Sequence, residues 1–193
     1  SLGFLLDEGA PAIWRGPIVM QVTDQLFYDT DWGELDYLIL DLPPGTGDVQ
    51  LTLAQKVPLT GAVIVSTPQD ISLADAERGL RMFNRVDVPV FGIVENMSWF
   101  ECTKCHERHE IFSHGGAKTK AKELEVDFLA EIPIDLATRA GGDLGKPVVV
   151  SHPDSSVAKE FAKLAHAVVE RCEKTGKQSM AARLKAGLLK IVQ

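Results

Sequence analysis

Cys102 and Cys105 sit three residues apart in the run Cys102-Thr103-Lys104-Cys105-His106. Two thiolates at that spacing can grip one metal ion or one edge of an iron–sulfur cluster. A [4Fe-4S] cluster takes four thiolates, and one pair supplies only two. The third cysteine, Cys172, falls far downstream in a predicted helix and has no pair. The least demanding full ligand set is therefore two chains, each giving Cys102 and Cys105 across a twofold axis. Three other readings compete. Zn2+ could use the pair with one or two of His106, His109 and His114. The Cys-Thr-Lys-Cys-His order also fits haem c attachment, but that needs export and a haem pocket, and the sequence offers neither. A thioredoxin-like redox pair normally opens a helix after a strand, which this pair does not.

A second candidate lies in Leu38-Ile39-Leu40-Asp41-Leu42-Pro43-Pro44-Gly45-Thr46-Gly47-Asp48. An apolar strand there would deliver Asp41 at its carboxyl end, where a carboxylate can hold Mg2+ through water. Gly45 would let a backbone N–H approach a phosphate oxygen with no Cβ in the way. A helix cap with a tight turn explains the same residues, and spacing alone leaves both readings open.

The elements that must position these groups follow from periodicity. Continuous apolar runs at 37–40, 62–65, 88–94 and, more weakly, 126–129 read as strands buried on both faces. Helical patterns fill 18–28, 48–57, 70–86, 116–124 and 155–172. Asp70 and Ser72 are candidate caps. Strand–helix alternation predicts an α/β fold, doubly wound, with a mostly parallel sheet whose ligands bind at the carboxyl ends of its strands. Trp14 and Trp32 read as core, and His152 and His166 as surface residues. Trp99 and Phe100 read equally as core, or as interface anchors sheltering a cluster.

Composition agrees. The 193 residues are 45% hydrophobic and 24% charged, which suits a globular domain and excludes disorder. A chain of this length buries roughly 70% of its unfolded surface, so its core needs no disulfide. No apolar run approaches the ~20 residues of a spanning helix, so no integral membrane contact is expected. The opening residues lack a secretory leader pattern, and the expected location is cytoplasmic. Net charge is −7, with 20 basic and 27 acidic residues. Five of the basic residues and none of the acidic ones lie from Lys174 onward, so residues 1–173 carry −12. An acidic body argues against nucleic-acid partners. The basic tail, 174–193, is read as a solvated end.

Trp32-Gly33-Glu34-Leu35-Asp36-Tyr37 through Asp48 resembles the Mrp/ApbC family of iron–sulfur carrier ATPases. These belong to the deviant P-loop class with MinD, ParA and the nitrogenase iron protein. Further segments match in order: Ile13 to Pro17, Thr67-Pro68-Gln69-Asp70, Gly92 to Ser98, the cysteine pair, Ile111 to Ala117, and Ile132-Pro133-Ile134-Asp135. The resemblance covers Ser1 to about Arg171. It implies a P-loop NTPase-like domain over 1–173. It implies a homodimer bridged through Cys102 and Cys105 by a [4Fe-4S] cluster, apo iron–sulfur proteins as recipients, and ATP with Mg2+ as cofactors. Asp41 resembles the aspartate near Mg2+ and the attacking water, Gly45 the glycine facing the γ-phosphate, and Asn96 the asparagine that bonds adenine. Pro133 and Asp135 resemble the loop around the base. A regulatory switch of the MinD/ParA type and a zinc-stabilised interaction module are the alternative functions.

The family's Gly-rich phosphate loop with its two lysines has no counterpart here, for no stretch reads G-x-x-x-x-G-K-[ST]. Gly115-Gly116-Ala117-Lys118-Thr119 comes near, but Ala117 separates glycine from lysine. Gly145-Lys146 is followed by Pro147. The chain is expected to be the C-terminal portion of an ATPase, incomplete at its N-terminus and inactive alone.

Overall fold

The computed structural model describes residues 21–22, 25–42 and 47–185, except the side chains of 48–49 and 177–185. Within this span two compact units form, one up to Pro58 and the other from Leu59.

In the first unit, residues 25–28 are helical and α1 spans Asp48–Lys56. Trp32 is 44% exposed, not core, and its Nε1–H donates to the Leu26 carbonyl at 3.1 Å. Tyr28 hydroxyl donates to the Lys56 carbonyl at 3.2 Å. The strand expected over 37–40 does not form: these residues carry no ladder among the described residues, and Ile39 is 90% exposed. An apolar run becomes a strand only where a neighbour takes its backbone groups and a second layer covers its side chains.

The second unit holds the sheet. Its elements run β1 (Ala62–Ser66), α2 (Asp70–Arg85), β2 (Val90–Glu101), β3 (Arg108–His109), α3 (Gly116–Glu123), β4 (Phe128–Ile134), α4 (Leu136–Asp143), α5 (Val148–Ser151) and α6 (Ser156–Lys185). β2 is central and pairs parallel with β1 and β4, and its far end pairs antiparallel with β3. The α/β, mostly parallel expectation holds. Successive strand residues face opposite sides, so burial of both Ile93 (0% exposed) and Val94 (2%) requires cover on both faces. Val94, Ala130 and Ile132 pack with Val148 of α5 and Val157 of α6. On the other face α2 lies close to β1, where a Cβ on Gly79 would come within 4.0 Å of Ile64 Cδ1. Gly92, at φ +147°, is where β2 passes the approach to β4; a Cβ there would lie 2.3 Å from the Asp127 carbonyl oxygen.

Three element boundaries differ from expectation, β4 among them, which spans Phe128–Ile134 rather than 126–129. β2 continues past Val94 to Glu101, through a bulge at Met97 (φ +55°) where the pairing with β4 shifts register. The last helix runs past its expected end at Cys172 to Lys185, so the basic tail begins as helix.

Candidate functional site: the cysteine hairpin and the carboxyl edge of the sheet

β2 and β3 form a hairpin whose loop, 102–107, carries both cysteines. The loop closes on itself: Cys102 N–H donates to the Glu107 carbonyl and His106 N–H to the Cys102 carbonyl, both at 2.9 Å. His106 sits at φ +61°, in the left-handed region that favours glycine. Its Nδ1 lies 2.8 Å from Glu101 Oε1, a contact that links the two ends of the loop. Cys102 is half-buried and Cys105 exposed. The backbone N–H groups of Cys105 and Lys104 point at the Cys102 sulfur, and the Cys105 thiol and the His106 charge add to them. Together they hold the Cys102 thiol below the ordinary thiol range. These amides also suit a metal-bound sulfur, which keeps its negative charge after the proton leaves. Burial instead pushes the Cys172 thiol up.

Among the described residues, no group of three or more His, Cys, Asp or Glu side chains gathers as a metal site. His106 turns to Glu101, and His114 lies against Ser98 and Arg108. Among the described residues, the hairpin thus brings two cysteines together with no further such side chain gathered beside them.

The remaining site residues divide by unit. Asn96 pairs with Ile132 across the parallel ladder, which sets it beside the carboxyl end of β4, where Pro133 and Asp135 lie. Asn96 lies inside β2 rather than after its end, one residue before the bulge, and its Oδ1 accepts the Met97 N–H at 3.0 Å. Pro133 is buried and lines a cavity of about 400 Å3 with Trp99, Arg108, Glu131 and, from α6, Ser156 and Glu160. Asp135 caps α4: its Oδ2 accepts from Thr138 N–H at 2.6 Å and Thr138 Oγ1 at 2.8 Å. Asp41 is exposed and belongs to the first unit. Gly45 lies outside the described residues, as do Ile13 to Pro17 and Trp14.

Sequence reasoning missed Glu95. Its carboxylate is 0% exposed and is met by Ser98 Oγ–H at 2.5 Å, Gly115 N–H at 3.1 Å and Ala117 N–H at 2.9 Å. The N-terminus of α3, where the sequence nearly reads as a phosphate loop, thus already holds an internal anion. The signal was present: a lone charge at the end of a buried apolar run, with two glycines downstream able to bring bare amides to it.

The family model described as ParA, NUBPL iron-transfer P-loop NTPase, matches residues 1–169. An iron-sulfur cluster transfer protein NUBPL of Dictyostelium discoideum is 51% identical over 173 residues, covering 90% of this chain and 54% of that protein. An iron-sulfur cluster carrier protein of Synechocystis sp. is 50% identical over 183 residues, 94% of this chain and 50% of its own length. The chain thus spans about half the length of the curated relatives it matches. A nucleotide-binding protein of Archaeoglobus fulgidus, solved with ADP and with cobalt found, superposes with TM-score 0.64 at 40% identity, over 75% of this chain and 58% of that one. The cell-division protein MinD of Aquifex aeolicus, at 18% identity and TM-score 0.57 over 83% of this chain and 63% of its own, shares the fold. The chain belongs to the iron-transfer P-loop NTPase family of the ParA and NUBPL type.

Proposed function

We propose that this chain carries an iron–sulfur cluster and passes it to apoproteins, holding a [4Fe-4S] cargo between two copies through Cys102 and Cys105 of each. The observation that carries this reading is the half-site: two neighbouring sulfurs, one drawn toward the thiolate by surrounding amides, with no third ligand gathered beside them among the described residues. Four thiolates satisfy such a cluster, and a twofold pairing of hairpins supplies them. The names of the relatives support the same cargo. Exposure of Cys105 suits a cluster that must be handed on.

The nucleotide part of the proposal concerns the whole protein. Asn96 would bond adenine, with Pro133 and Asp135 around the base. Asp41 would hold Mg2+ through water, and Gly45 would face the γ-phosphate. The gathering of Asn96, Pro133 and Asp135 at one carboxyl edge supports this, as does the ADP complex of the Archaeoglobus relative. ATP turnover would be negligible in this chain. Joined to a segment bearing the relatives' phosphate loop, it would hydrolyse ATP, with Asp41→Ala abolishing turnover.

Anaerobic reconstitution with iron and sulfide tests the cargo. The expected content is about four iron and four sulfide per dimer. Cys102→Ala or Cys105→Ala should abolish it, and retention in either variant would refute the ligand assignment. Zinc in place of iron and sulfide after the same treatment would favour an interaction module.

A further inference from the structure

We propose that Glu95, Ser98, His114 and Arg108 form a positioning chain. It ties the cysteine hairpin to the start of α3 and so governs how firmly Cys102 and Cys105 keep their cargo, an inference that rests on the cluster-carrier reading. A carboxylate at 0% exposure is costly unless its oxygens are met, and the donors that meet Glu95 come from Ser98 on its own strand and from the first turn of α3. Ser98 is also 0% exposed. Its hydroxyl proton is spent on Glu95, so toward His114 Nδ1, at 3.2 Å, Ser98 Oγ accepts. Arg108 Nη2 lies 3.2 Å from His114 Nδ1 and 3.3 Å from Nε2, so the guanidinium rests against the imidazole ring rather than on one nitrogen. Side-chain contacts therefore run unbroken from the Arg108 guanidinium through His114 and Ser98 to the buried carboxylate.

Both legs of the hairpin are held this way. Arg108 opens β3, the short leg, and pairs there with Glu101. Its guanidinium lies over the Trp99 ring at 4.7 Å and 3.8 Å from Glu131 Oε2 of β4. Glu95, Ser98 and Trp99 belong to β2, the long leg. The ladder between the legs is only two pairs, Phe100 with His109 and Glu101 with Arg108. A ribbon that short is marginal in water, so side-chain ties decide how often it opens. Groups that orient metal ligands from behind typically alter metal affinity by about 10–100-fold when removed.

His114 is the link to cut, because its side chain is 30% exposed and its removal leaves the Glu95 amide contacts in place. In the full 193-residue chain, His114→Ala should speed hydrogen exchange at the Cys102 and His106 amides about tenfold. It should also speed cluster loss to a chelator about tenfold, with the thermal midpoint moved by only a few degrees. His114→Gln, whose amide offers one donor and one acceptor side, should restore both rates. Unchanged exchange in His114→Ala, or a Gln variant no better than Ala, would overturn the proposal. Faster exchange alongside an unsubstituted chain that holds no cluster would support the hairpin's dependence on His114 and overturn the carrier reading instead.

Discussion

Residues 37–42 and 90–96 are both apolar runs that lead into a candidate site, and they end differently. Ile93 is 0% exposed, with β1 and β4 on its edges and cover on both faces. Ile39 is 90% exposed, in a segment without a ladder among the described residues. Hydrophobicity alone does not make a strand; partners do. The two sites inherit this difference. The cysteines stand on a hairpin fastened at both legs, whereas Asp41 follows a segment that carries no ladder among the described residues.

The largest expected effect is on stability. Ile93→Ala should cost about 2–5 kcal/mol in urea unfolding, through lost burial and the cavity left behind. Ile39→Ser should stay within about 0.5 kcal/mol. Equal costs would mean that the 37–42 run finds cover in solution, and the comparison would break. Asp135→Ala should cost about 1 kcal/mol through loss of the α4 cap. No change would mean that the cap contributes nothing to folding.

The smallest effect is on thiol chemistry, and it sharpens the account of the hairpin. Alkylation follows the thiolate fraction. Cys102, held down chiefly by the Cys105 amide, should reach half its maximal iodoacetamide rate at a lower pH than an ordinary thiol. Cys172, pushed up by burial, should reach it at a higher pH. Peptide mapping across a pH series gives the order, and a reversed order contradicts the amide cradle.

Much of this was legible in the residues. The runs at 62–65 and 88–94 became strands, and the patterns at 48–57, 70–86 and 116–124 became helices with ends within about a residue. Their periods match faces that their own units can cover. β2's extension was not legible, because Glu95 and Asn96 look like a strand end; only a carboxylate satisfied by a helix over twenty residues downstream can be buried there. β4 was placed too early, at 126–129, because Glu131 and Pro133 interrupt its apolar pattern. Proline is tolerated near a strand end whose other edge carries no ladder, and β4 pairs only with β2 among the described residues. The cysteine pair was readable from spacing, since its chemistry is local. The Glu95–Ser98–His114–Arg108 chain was not, since its longest link, Ser98 to His114, joins residues 16 apart.

The most direct test of a shared cargo is native mass spectrometry of the anaerobically reconstituted chain, before and after a chelator. The account predicts a dimer carrying one four-iron cluster that falls apart into bare monomers when the iron is stripped. A monomer that retains the whole cluster, or a metal-free monomer in the presence of excess iron and sulfide, would contradict it.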